Sequence, residues 1–391
     1  MTLARKLWQR ARNLFPFEGF HFDRPVVLLQ SDDWGRVGLR DQEGLEQLRS
    51  VGLELGNRPY DLYTLETAED LAVLRVVLDR HRDSIGRAAC LGMNFVVANL
   101  DFGKMRAAGF SQIDLLPVAD DFPAGWCRPG LLEAYHEGIA EKAFRPALHG
   151  STHFCRAAVE RSMADEGERG SLLRKLWEAG TPYIHWRMPW IGYEYWDPEQ
   201  SEDERFLCAA MQRELIGQSV GAFARLFATL PRSACAPGYR ADFNTQRAWA
   251  QLGIRVAQNG PGTLTPPHFD HEMLHLYRTV EFEPALNPGI SIDECVRRAE
   301  NCFARGIPAI VSMHSINFHS SVGNFRDRTL ALFDQFLSAL EAKHPDLLYL
   351  HDEDLYELVS KGSYQTSHGT SNVHVTKKRF TKAQVERVPV A

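Results

Sequence analysis

The sequence of 391 residues lacks several features that would place it in a common class of protein. Its seven cysteines are an odd number and form no CxxC pair, which argues against a disulfide framework and against a zinc knuckle. It contains no run of about 18 apolar residues that would span a bilayer, and no apolar stretch of the kind found in signal peptides. These absences together predict a cytoplasmic protein.

Charge of one sign is not concentrated on any long stretch either. The net charge is −6, and without a basic stripe we expect no nucleic-acid partner. The N-terminus does carry a pattern, since apolar and basic residues on opposite faces predict an amphipathic helix over residues 1–20. Such a helix either docks on its own domain or makes peripheral contact with an anionic membrane surface, and the sequence leaves both open.

Short apolar runs rich in β-branched residues alternate along the chain with helical patterns. The predicted strands lie at residues 26–30, 93–98, 146–149, 233–236, 254–257, 307–313 and 347–350. Their apolar character is continuous rather than alternating, which indicates parallel strands buried on both faces. The pattern predicts an α/β fold, either a (β/α) barrel or a doubly wound sheet.

The domain organisation follows from length and composition. One large domain over residues 21–360 fits best, because single cores stop growing at about 250–300 residues. It includes an insertion at about 155–232. Residues 361–391 are polar and have few large apolar side chains, so they predict a mobile tail.

An aromatic segment, residues 180–200, interrupts the alternation of strands and helices. Within it lie Trp186, Trp190, Tyr193 and Trp196, together with three prolines. One interpretation is a plug that closes one end of the domain. The other is a substrate cap on which sugar rings or lipid stack, and in that case these four side chains bind substrate.

Acids and imidazoles follow three of the predicted strands. They are Asp32 and Asp33 in "SDDWG", His149 and His153 in "HGSTH", and His314 in "VSMHS". In parallel α/β folds the carboxyl ends of the strands form the edge at which active sites lie. Two neutral imidazoles and a carboxylate are ligands for a divalent ion such as Zn²⁺. Asp33, His149 and His153 are therefore the predicted metal ligands.

The two adjacent carboxylates can then do different work. If Asp33 binds the ion, Asp32 stays free to take a proton from the attacking water. Taken alone, an aspartate after a strand is more often a helix N-cap, and a His-x-x-x-His pair is more often coincidence. Their common placement at strand ends favours a catalytic site.

The stretches "SDDWG", "HGSTH", "CAPGYR" and "IVSMHS" occur in the order of four motifs of the polysaccharide deacetylase superfamily, which shares the NodB homology domain. The chain resembles that family over roughly residues 24–355, and "MNFVV" resembles its second strand. The resemblance implies a distorted (β/α)₇ barrel, here with an aromatic-rich insertion and a mobile C-terminal tail. It also implies a metal-dependent esterase or amidase activity.

The resemblance implies a role for each motif residue. Asp32 would be the base, and the predicted metal ligands keep that role. His314 would be the acid that protonates the leaving group. Tyr239 would offer its backbone N–H to the oxyanion.

The third motif departs from the family pattern. Many members read Arg-Pro-Pro-Tyr-Gly there, whereas this chain reads "APGYR", with Ala236 in the place of the arginine. A similar run occurs in the branch that removes formyl groups from lipid-linked aminosugars. We expect Arg240 to supply the missing charge, either on Asp32 or on an anionic group of the substrate. An ordinary surface arginine paired with Asp242 is the alternative.

The predicted function is a metal-dependent hydrolase that removes an N-acyl group, N-acetyl first, from a sugar of a glycan or glycolipid precursor. Its partner would be an acylated aminosugar or glycan precursor, and its ion Zn²⁺. Two alternatives stay open: an amidohydrolase on a small non-sugar amide, and a catalytically retired barrel that binds glycan. A retaining glycosidase is disfavoured, because adjacent Asp32 and Asp33 would not flank a bond from opposite faces.

Overall fold

The computed structural model describes residues 17–165, 167–261, 264–366 and 369–380. Its strands are β1 Phe17–Phe22, β2 Val26–Trp34, β3 Leu91–Phe95, β4 Ala98–Leu100, β5 Leu115–Pro117, β6 Phe144–Leu148, β7 Ser233–Cys235, β8 Val256–Asn259, β9 His268–Asp270, β10 Met273–Tyr277, β11 Val280–Glu281, β12 Ala309–His314, β13 Leu348–Tyr349, β14 Tyr364–Thr366, β15 Gly369–Ser371 and β16 Val375–Phe380. Its helices are α1 Gln42–Ser50, α2 Ala68–Arg80, α3 Phe102–Ala107, α4 Leu131–Ala140, α5 Arg156–Met163, α6 Glu168–Glu178, α7 Ala209–Phe227, α8 Phe243–Gln251, α9 Ile292–Phe303, α10 Arg326–Lys343 and α11 Asp352–Lys361.

A mostly parallel sheet forms the centre of the molecule. Its strands are ordered β11-β12-β2-β3-β6-β7-β8-β10-β9, and β13 also pairs with β2. Among the described strands of this sheet, β9 alone pairs antiparallel. Every residue of β2 is buried, as expected for a parallel strand covered on both faces. The predicted α/β fold with parallel strands is confirmed.

The two ends of the sheet path are close in the chain. Only Arg278 and Thr279 separate β10 from β11, yet β10 pairs with β8 and β11 pairs with β12. In the distorted (β/α)₇ barrel that the family resemblance implies, the two ends of this strand order would meet and close the sheet. That closure stays a prediction.

The helices begin where the sequence provides capping residues. The side chains of Thr67, Asp242 and Ser291 each accept a hydrogen bond from the backbone N–H three residues further on, at the starts of α2, α8 and α9. None of the described helices is both long enough and apolar enough to cross a bilayer. None of the seven cysteines forms a disulfide.

The described parts of both terminal segments differ from their predictions. Residues 17–20, assigned to an N-terminal helix, belong to β1, while residues 1–16 of that helix lie outside the described residues. The mobile tail is wrong for residues 375–380, which form β16 paired with β1. Tyr364 and Val373 are also buried against the sheet, because a few apolar side chains anchor an otherwise polar segment. Residues 381–391 lie outside the described residues.

Candidate active site

A cavity of about 310 Å³ lies at the carboxyl ends of the parallel strands. The predicted acids and imidazoles all line it: Asp32, Asp33, His149, His153 and His314. They come from the ends of β2 and β12 and from the loop after β6. The structure therefore brings the five residues together from three separate places in the sequence.

A bulge at the end of β2 places both aspartates on the cavity. In a regular strand neighbouring side chains point to opposite faces. Here the register against β3 shifts between Ser31 and Trp34, and Asp33 has a positive φ of 75°. A non-glycine residue in this region costs about 1–3 kcal/mol and is typical of functional sites. The bulge thus turns Asp33 to the same side as Asp32.

The predicted ligand set is compact. Asp33 Oδ1 lies 3.3 Å from His153 Nε2 and 3.7 Å from His149 Nε2. Ligand atoms about 2.0–2.2 Å from one tetrahedral ion lie about 3.3–3.6 Å apart, so this spacing suits a divalent ion. Asp33 Oδ1 and His149 Nε2 are buried and have no hydrogen-bond partner among the residues that the structure describes. Buried polar atoms without a partner are costly, and an ion would satisfy both.

The imidazoles are prepared as ligands. His149 Nδ1 lies 2.8 Å from the carbonyl oxygen of Cys235. In the tautomer that carries its proton on Nδ1, this atom donates to the carbonyl and Nε2 keeps a free lone pair for an ion. Burial lowers the pKa of His149 and of His153, so both stay neutral. Neutral imidazole is the form that binds metal.

Glycine is required between the two imidazoles. Gly150 has a φ of +83°, and a Cβ atom there would lie 1.9 Å from Glu194 Oε2. The same carboxylate accepts a hydrogen bond from the backbone N–H of Ser151 at 2.9 Å. Glu194, which comes from the aromatic segment, therefore shapes the turn that carries His149 and His153.

A second group of ligand types fits a metal less well. Asp32, His149 and Cys235 also place donor atoms within 4.8 Å of one another. Burial raises the pKa of the Cys235 thiol well above its usual value, which disfavours the thiolate. Both oxygens of Asp32 are already hydrogen-bonded to an arginine.

An arginine that the sequence analysis did not identify lies beside Asp33. Arg36 Nη2 donates to Asp33 Oδ2 at 3.0 Å, and Arg36 Nη1 donates to the hydroxyl of Tyr183 at 3.0 Å. Its guanidinium also lies 3.9 Å from the ring centroid of Tyr63. Burial opposes ionisation of Asp33, but the charge of Arg36 outweighs it and holds the pKa of that carboxyl well below its usual range.

The guanidinium on Asp32 belongs to Arg278. Arg278 Nη1 donates to Asp32 Oδ2 at 2.8 Å and Nη2 donates to Oδ1 at 2.6 Å, in a bidentate pair that is almost fully buried. Burial alone would raise the pKa of Asp32, but Arg278 outweighs it and holds the pKa well below its usual range. Asn94 Nδ2 donates a further hydrogen bond to Oδ1 at 2.6 Å.

The prediction that Arg240 holds Asp32 is therefore wrong. Arg240 is exposed, and its guanidinium lies 4.7 Å from the ring centroid of Trp196. Arg278, which directly follows β10, binds both carboxylate oxygens of Asp32 instead. The charge that the third motif lacks is therefore supplied from the end of another strand.

We expect Arg240→Ala to change kcat/KM by less than about two-fold, because the side chain is exposed and does not contact the buried acids. Steady-state kinetics on the best substrate would measure this, with Arg213→Ala, on the surface of α7, as a control for loss of one surface charge. A selective rise in KM of tenfold or more would show that Arg240 grips the substrate.

The role predicted for the backbone of Tyr239 is also wrong. Pro237–Tyr239 forms a 3₁₀ turn, and the Tyr239 N–H donates to the carbonyl of Ala236 at 2.8 Å. That N–H is thus used within the turn. The Tyr239 hydroxyl instead accepts a hydrogen bond from Arg278 Nη1 at 2.8 Å, which places this residue beside the predicted base.

His314 is paired with a carboxylate that the sequence analysis missed. His314 Nδ1 lies 2.6 Å from Glu283 Oε1, and Asn317 Nδ2 donates to Glu283 Oε2 at 2.5 Å. Burial alone would lower the pKa of His314, but Glu283 outweighs it and raises the pKa to about 9. His314 therefore carries a proton at neutral pH.

The aromatic segment contributes to the cavity only in part. Trp186 and Tyr193 line it, so the segment lies at this end of the sheet rather than plugging the other. Trp190 and Trp196 are not among the lining residues, which corrects their assignment as substrate-binding residues. The ring of Trp190 instead contacts the guanidinium of Arg169, and the ring of Trp196 contacts that of Arg240.

Trp186 offers less stacking surface than expected. The guanidiniums of Arg58 and Arg187 lie 4.1 Å and 4.3 Å from its ring centroid. Its indole N–H donates to Asp61 at 2.9 Å. Tyr193 is likewise stacked on His185, with ring centroids 4.6 Å apart. The aromatic wall is held mainly by contacts within the protein.

Comparison with known proteins gives similarity in fold but not in sequence. No protein-family model and no curated protein matches the chain. A solved "putative glycoside hydrolase/deacetylase" from Parabacteroides distasonis matches with a TM-score of 0.50 and 10% identity, over 94% of this chain and 84% of that one. A "putative polysaccharide deacetylase" from Mycobacterium smegmatis matches with a TM-score of 0.45 and 11% identity, over 89% and 95%. A family 4 carbohydrate esterase from Streptomyces lividans, solved with acetate, gives a TM-score of 0.33 and 12% identity, over 83% and 91%.

Proposed function

For a chain that has the polysaccharide deacetylase fold, we propose a metal-dependent hydrolase that removes an N-acyl group, N-acetyl first, from a sugar of a glycan or glycolipid precursor. One observation carries the proposal. A single cavity at the strand ends combines an Asp-His-His set with unsatisfied ligand atoms, a carboxylate held ionised and a histidine held protonated. Metal-dependent amide hydrolysis uses these three components, namely an ion, a base and an acid.

Asp33, His149 and His153 would hold the ion, and their nitrogen and oxygen ligands favour Zn²⁺. When bound, such an ion polarises a carbonyl and makes water more acidic. The backbone positions these ligands: the bulge at Asp33 turns its carboxylate toward the cavity, and the turn at Gly150 brings the two imidazoles together. Arg36 fixes the second oxygen of Asp33, so that Oδ1 faces the two imidazoles.

Asp32 accepts the proton of the attacking water. Oδ1 accepts from both Arg278 and Asn94, whereas Oδ2 accepts from Arg278 and keeps a lone pair for water. Because this contact lowers the pKa of Asp32, the carboxylate is ionised and oriented rather than strongly basic.

His314 protonates the leaving nitrogen. Its Nδ1 is used by Glu283, so Nε2 is the atom left to donate to a bound substrate. An amine leaves poorly without this proton, and the raised pKa of His314 keeps the proton available.

Tyr60 is the donor that we assign to the developing oxyanion, because the Tyr239 N–H is used within its turn. Tyr60 lines the cavity, with its ring 6.3 Å from that of His314. Within the part of the chain that the structure describes, its hydroxyl makes no hydrogen bond. Burial and the nearby Asp33 raise its pKa, so the hydroxyl stays a donor.

Tyr60→Phe should lower kcat by about 10- to 100-fold and change KM by less than about two-fold, since it removes one hydroxyl that acts on the transition state. Steady-state kinetics would measure both constants. Tyr356→Phe, outside the cavity, serves as the matched control. Unchanged kcat in Tyr60→Phe would remove the hydroxyl from the mechanism.

His149→Ala should weaken Zn²⁺ binding by about 100-fold or more, because one of three protein ligands is lost. Metal content of the purified protein and Zn²⁺ titration measure this without reference to activity. His185→Ala removes an imidazole that lines the same cavity outside the ligand set, and it should keep the ion. Equal Zn²⁺ affinity in wild type and His149→Ala would contradict the proposed site.

The activity itself is tested by acyl release. Metal-loaded protein would be offered N-acetyl and N-formyl aminosugars, their phosphates and lipid phosphates, and small non-sugar amides, with acetate and formate measured. Release from aminosugars supports the proposal. Release from non-sugar amides alone would indicate the amidohydrolase, and stoichiometric Zn²⁺ without any release would indicate a retired site.

A further inference from the structure

Buried polar side chains connect Asp32 in the active-site cavity to the start of α11, which follows β13. Arg278, the partner of Asp32, donates from Nε to Gln30 Oε1 at 3.3 Å and from Nη2 to Gln258 Oε1 at 3.2 Å. The amide nitrogens of Gln30 and Gln258 each donate to Asp352, to Oδ1 and Oδ2 respectively, both at 2.7 Å. All five side chains are at least nine-tenths buried. Asp352 is the first residue of α11.

The hydrogen bonds that link these five side chains have a fixed donor-to-acceptor direction. An amide has one acceptor oxygen and one donor nitrogen, whereas a guanidinium only donates. Both glutamine oxygens therefore face Arg278, and both nitrogens need an acceptor at their other end. Asp352 accepts from both nitrogens at once, one on each oxygen, and these donations oppose the burial that raises the pKa of its carboxyl. The hydroxyl of Ser233 donates to the same carboxylate at 2.5 Å.

The same series of side chains also places ionisable groups close together. The buried guanidinium of Arg278 lies between two buried carboxyl groups, Asp32 in direct contact and Asp352 through the two amides. Asn94 cross-links the path, because its Nδ2 donates to Asp32 Oδ1 at 2.6 Å and to Gln258 Oε1 at 2.7 Å. Buried charges are tolerated when their hydrogen bonds are complete, and here the hydrogen bonds also fix the angle of Arg278.

We propose that Asp352 is a positioning residue for Asp32. It orients the amides of Gln30 and Gln258, these orient the guanidinium of Arg278, and the guanidinium sets the plane of the Asp32 carboxylate. The inference rests on the proposed function, in which Asp32 is the base. A catalytic group must be held to within about 0.5 Å and 10–20° of its productive geometry, which such a fixed chain can supply.

The decisive variant is Asp352→Asn. Its amide nitrogen would replace one of the two carboxylate oxygens and face the nitrogen of either Gln30 or Gln258, so that glutamine amide must flip and turn a donor toward Arg278. We expect kcat to fall by about tenfold or more, with KM and bound Zn²⁺ unchanged per folded molecule. Loss of kcat at constant KM separates positioning from a merely structural role, which would lower the thermal midpoint alone.

Asp354→Asn is the matched control. Asp354 lies in the same turn of α11 and is also buried, but it pairs with Arg87 and caps the helix instead of contacting the amides. It should lower the thermal midpoint and leave kcat within about two-fold. Should Asp352→Asn not fold, Gln258→Met removes the same link with similar volume and should lower kcat likewise.

Crystal structures of wild type and variant give a readout that does not depend on activity. The inference expects the Asp32 carboxylate plane and the Arg278 guanidinium to rotate by more than about 20° in the variant. An unmoved pair, or wild-type kcat in both Asp352→Asn and Gln258→Met, would overturn it. Wild-type protein inactive on every substrate would instead overturn the proposed function, and the rotation would still decide the inference.

Discussion

Asp32→Asn should abolish turnover and destabilise the protein at the same time. The asparagine amide cannot accept a proton from water, so we expect kcat to fall by about 10³-fold or more. The variant also leaves Arg278, which is fully buried, without its charge partner, and this should lower the free energy of unfolding by about 3–5 kcal/mol. Bound Zn²⁺ should stay at the wild-type level, because every proposed ligand is retained.

A double variant separates the two effects. Asp32→Asn combined with Arg278→Met removes both charges, and buried pairs replaced by apolar groups are often near neutral in stability. The double variant should therefore recover part of the lost stability, measured by denaturant unfolding, while turnover stays absent. Loss of Zn²⁺ in parallel with activity would make Asp32 a ligand, and undiminished kcat would exclude it as the base.

The features that the sequence predicted are local ones. A buried parallel strand appears as a continuous apolar run, and the residue that ends it is visible in the same few positions. For this reason β2 and β12 could be predicted, and with them the placement of Asp32, Asp33 and His314 at one edge. The fold comparison confirms the predicted resemblance at the level of the fold.

The partners of these residues could not be predicted, because each depends on tertiary contacts. Arg278 follows β10. This strand is hard to predict because His275 interrupts its apolar run and charged residues follow it. A buried arginine is recognised only once its carboxylate is known to lie opposite, here 246 positions away in the chain. The same holds for Glu283, whose pairing with His314 requires β11 to run beside β12.

The wrong assignments have a common physical cause. The sequence motif located the turn at Tyr239 and Arg240 but not the hydrogen bonds inside it. Whether the Tyr239 N–H faces the cavity depends on a 3₁₀ turn with a positive φ at Gly238 and at Tyr239. The direction of Arg240 depends on the same backbone, so a motif matched by residue type does not determine which atoms face the substrate.

Glu283→Gln should shift the basic limb of the pH–rate profile to lower pH. His314 must carry a proton to act as the acid, and its protonated form persists below its pKa of about 9 and is lost above it. Glu283 raises that pKa against the effect of burial, so its removal should bring the pKa toward the ordinary value of about 6.5. At pH 8 the protonated fraction would fall from about 0.9 to about 0.03, which predicts a loss of about 30-fold in kcat.

The glutamine keeps Oε1 as an acceptor for His314 Nδ1, so the variant changes charge with little change in geometry. At about pH 5.5 the two enzymes should converge, because His314 is then largely protonated in both. Glu281→Gln, two positions away and without a hydrogen bond to His314, removes a more distant charge and should shift the basic limb far less. A basic limb that stays near 9 in Glu283→Gln would mean that another group delivers the proton, since the charge that holds it on His314 would be gone.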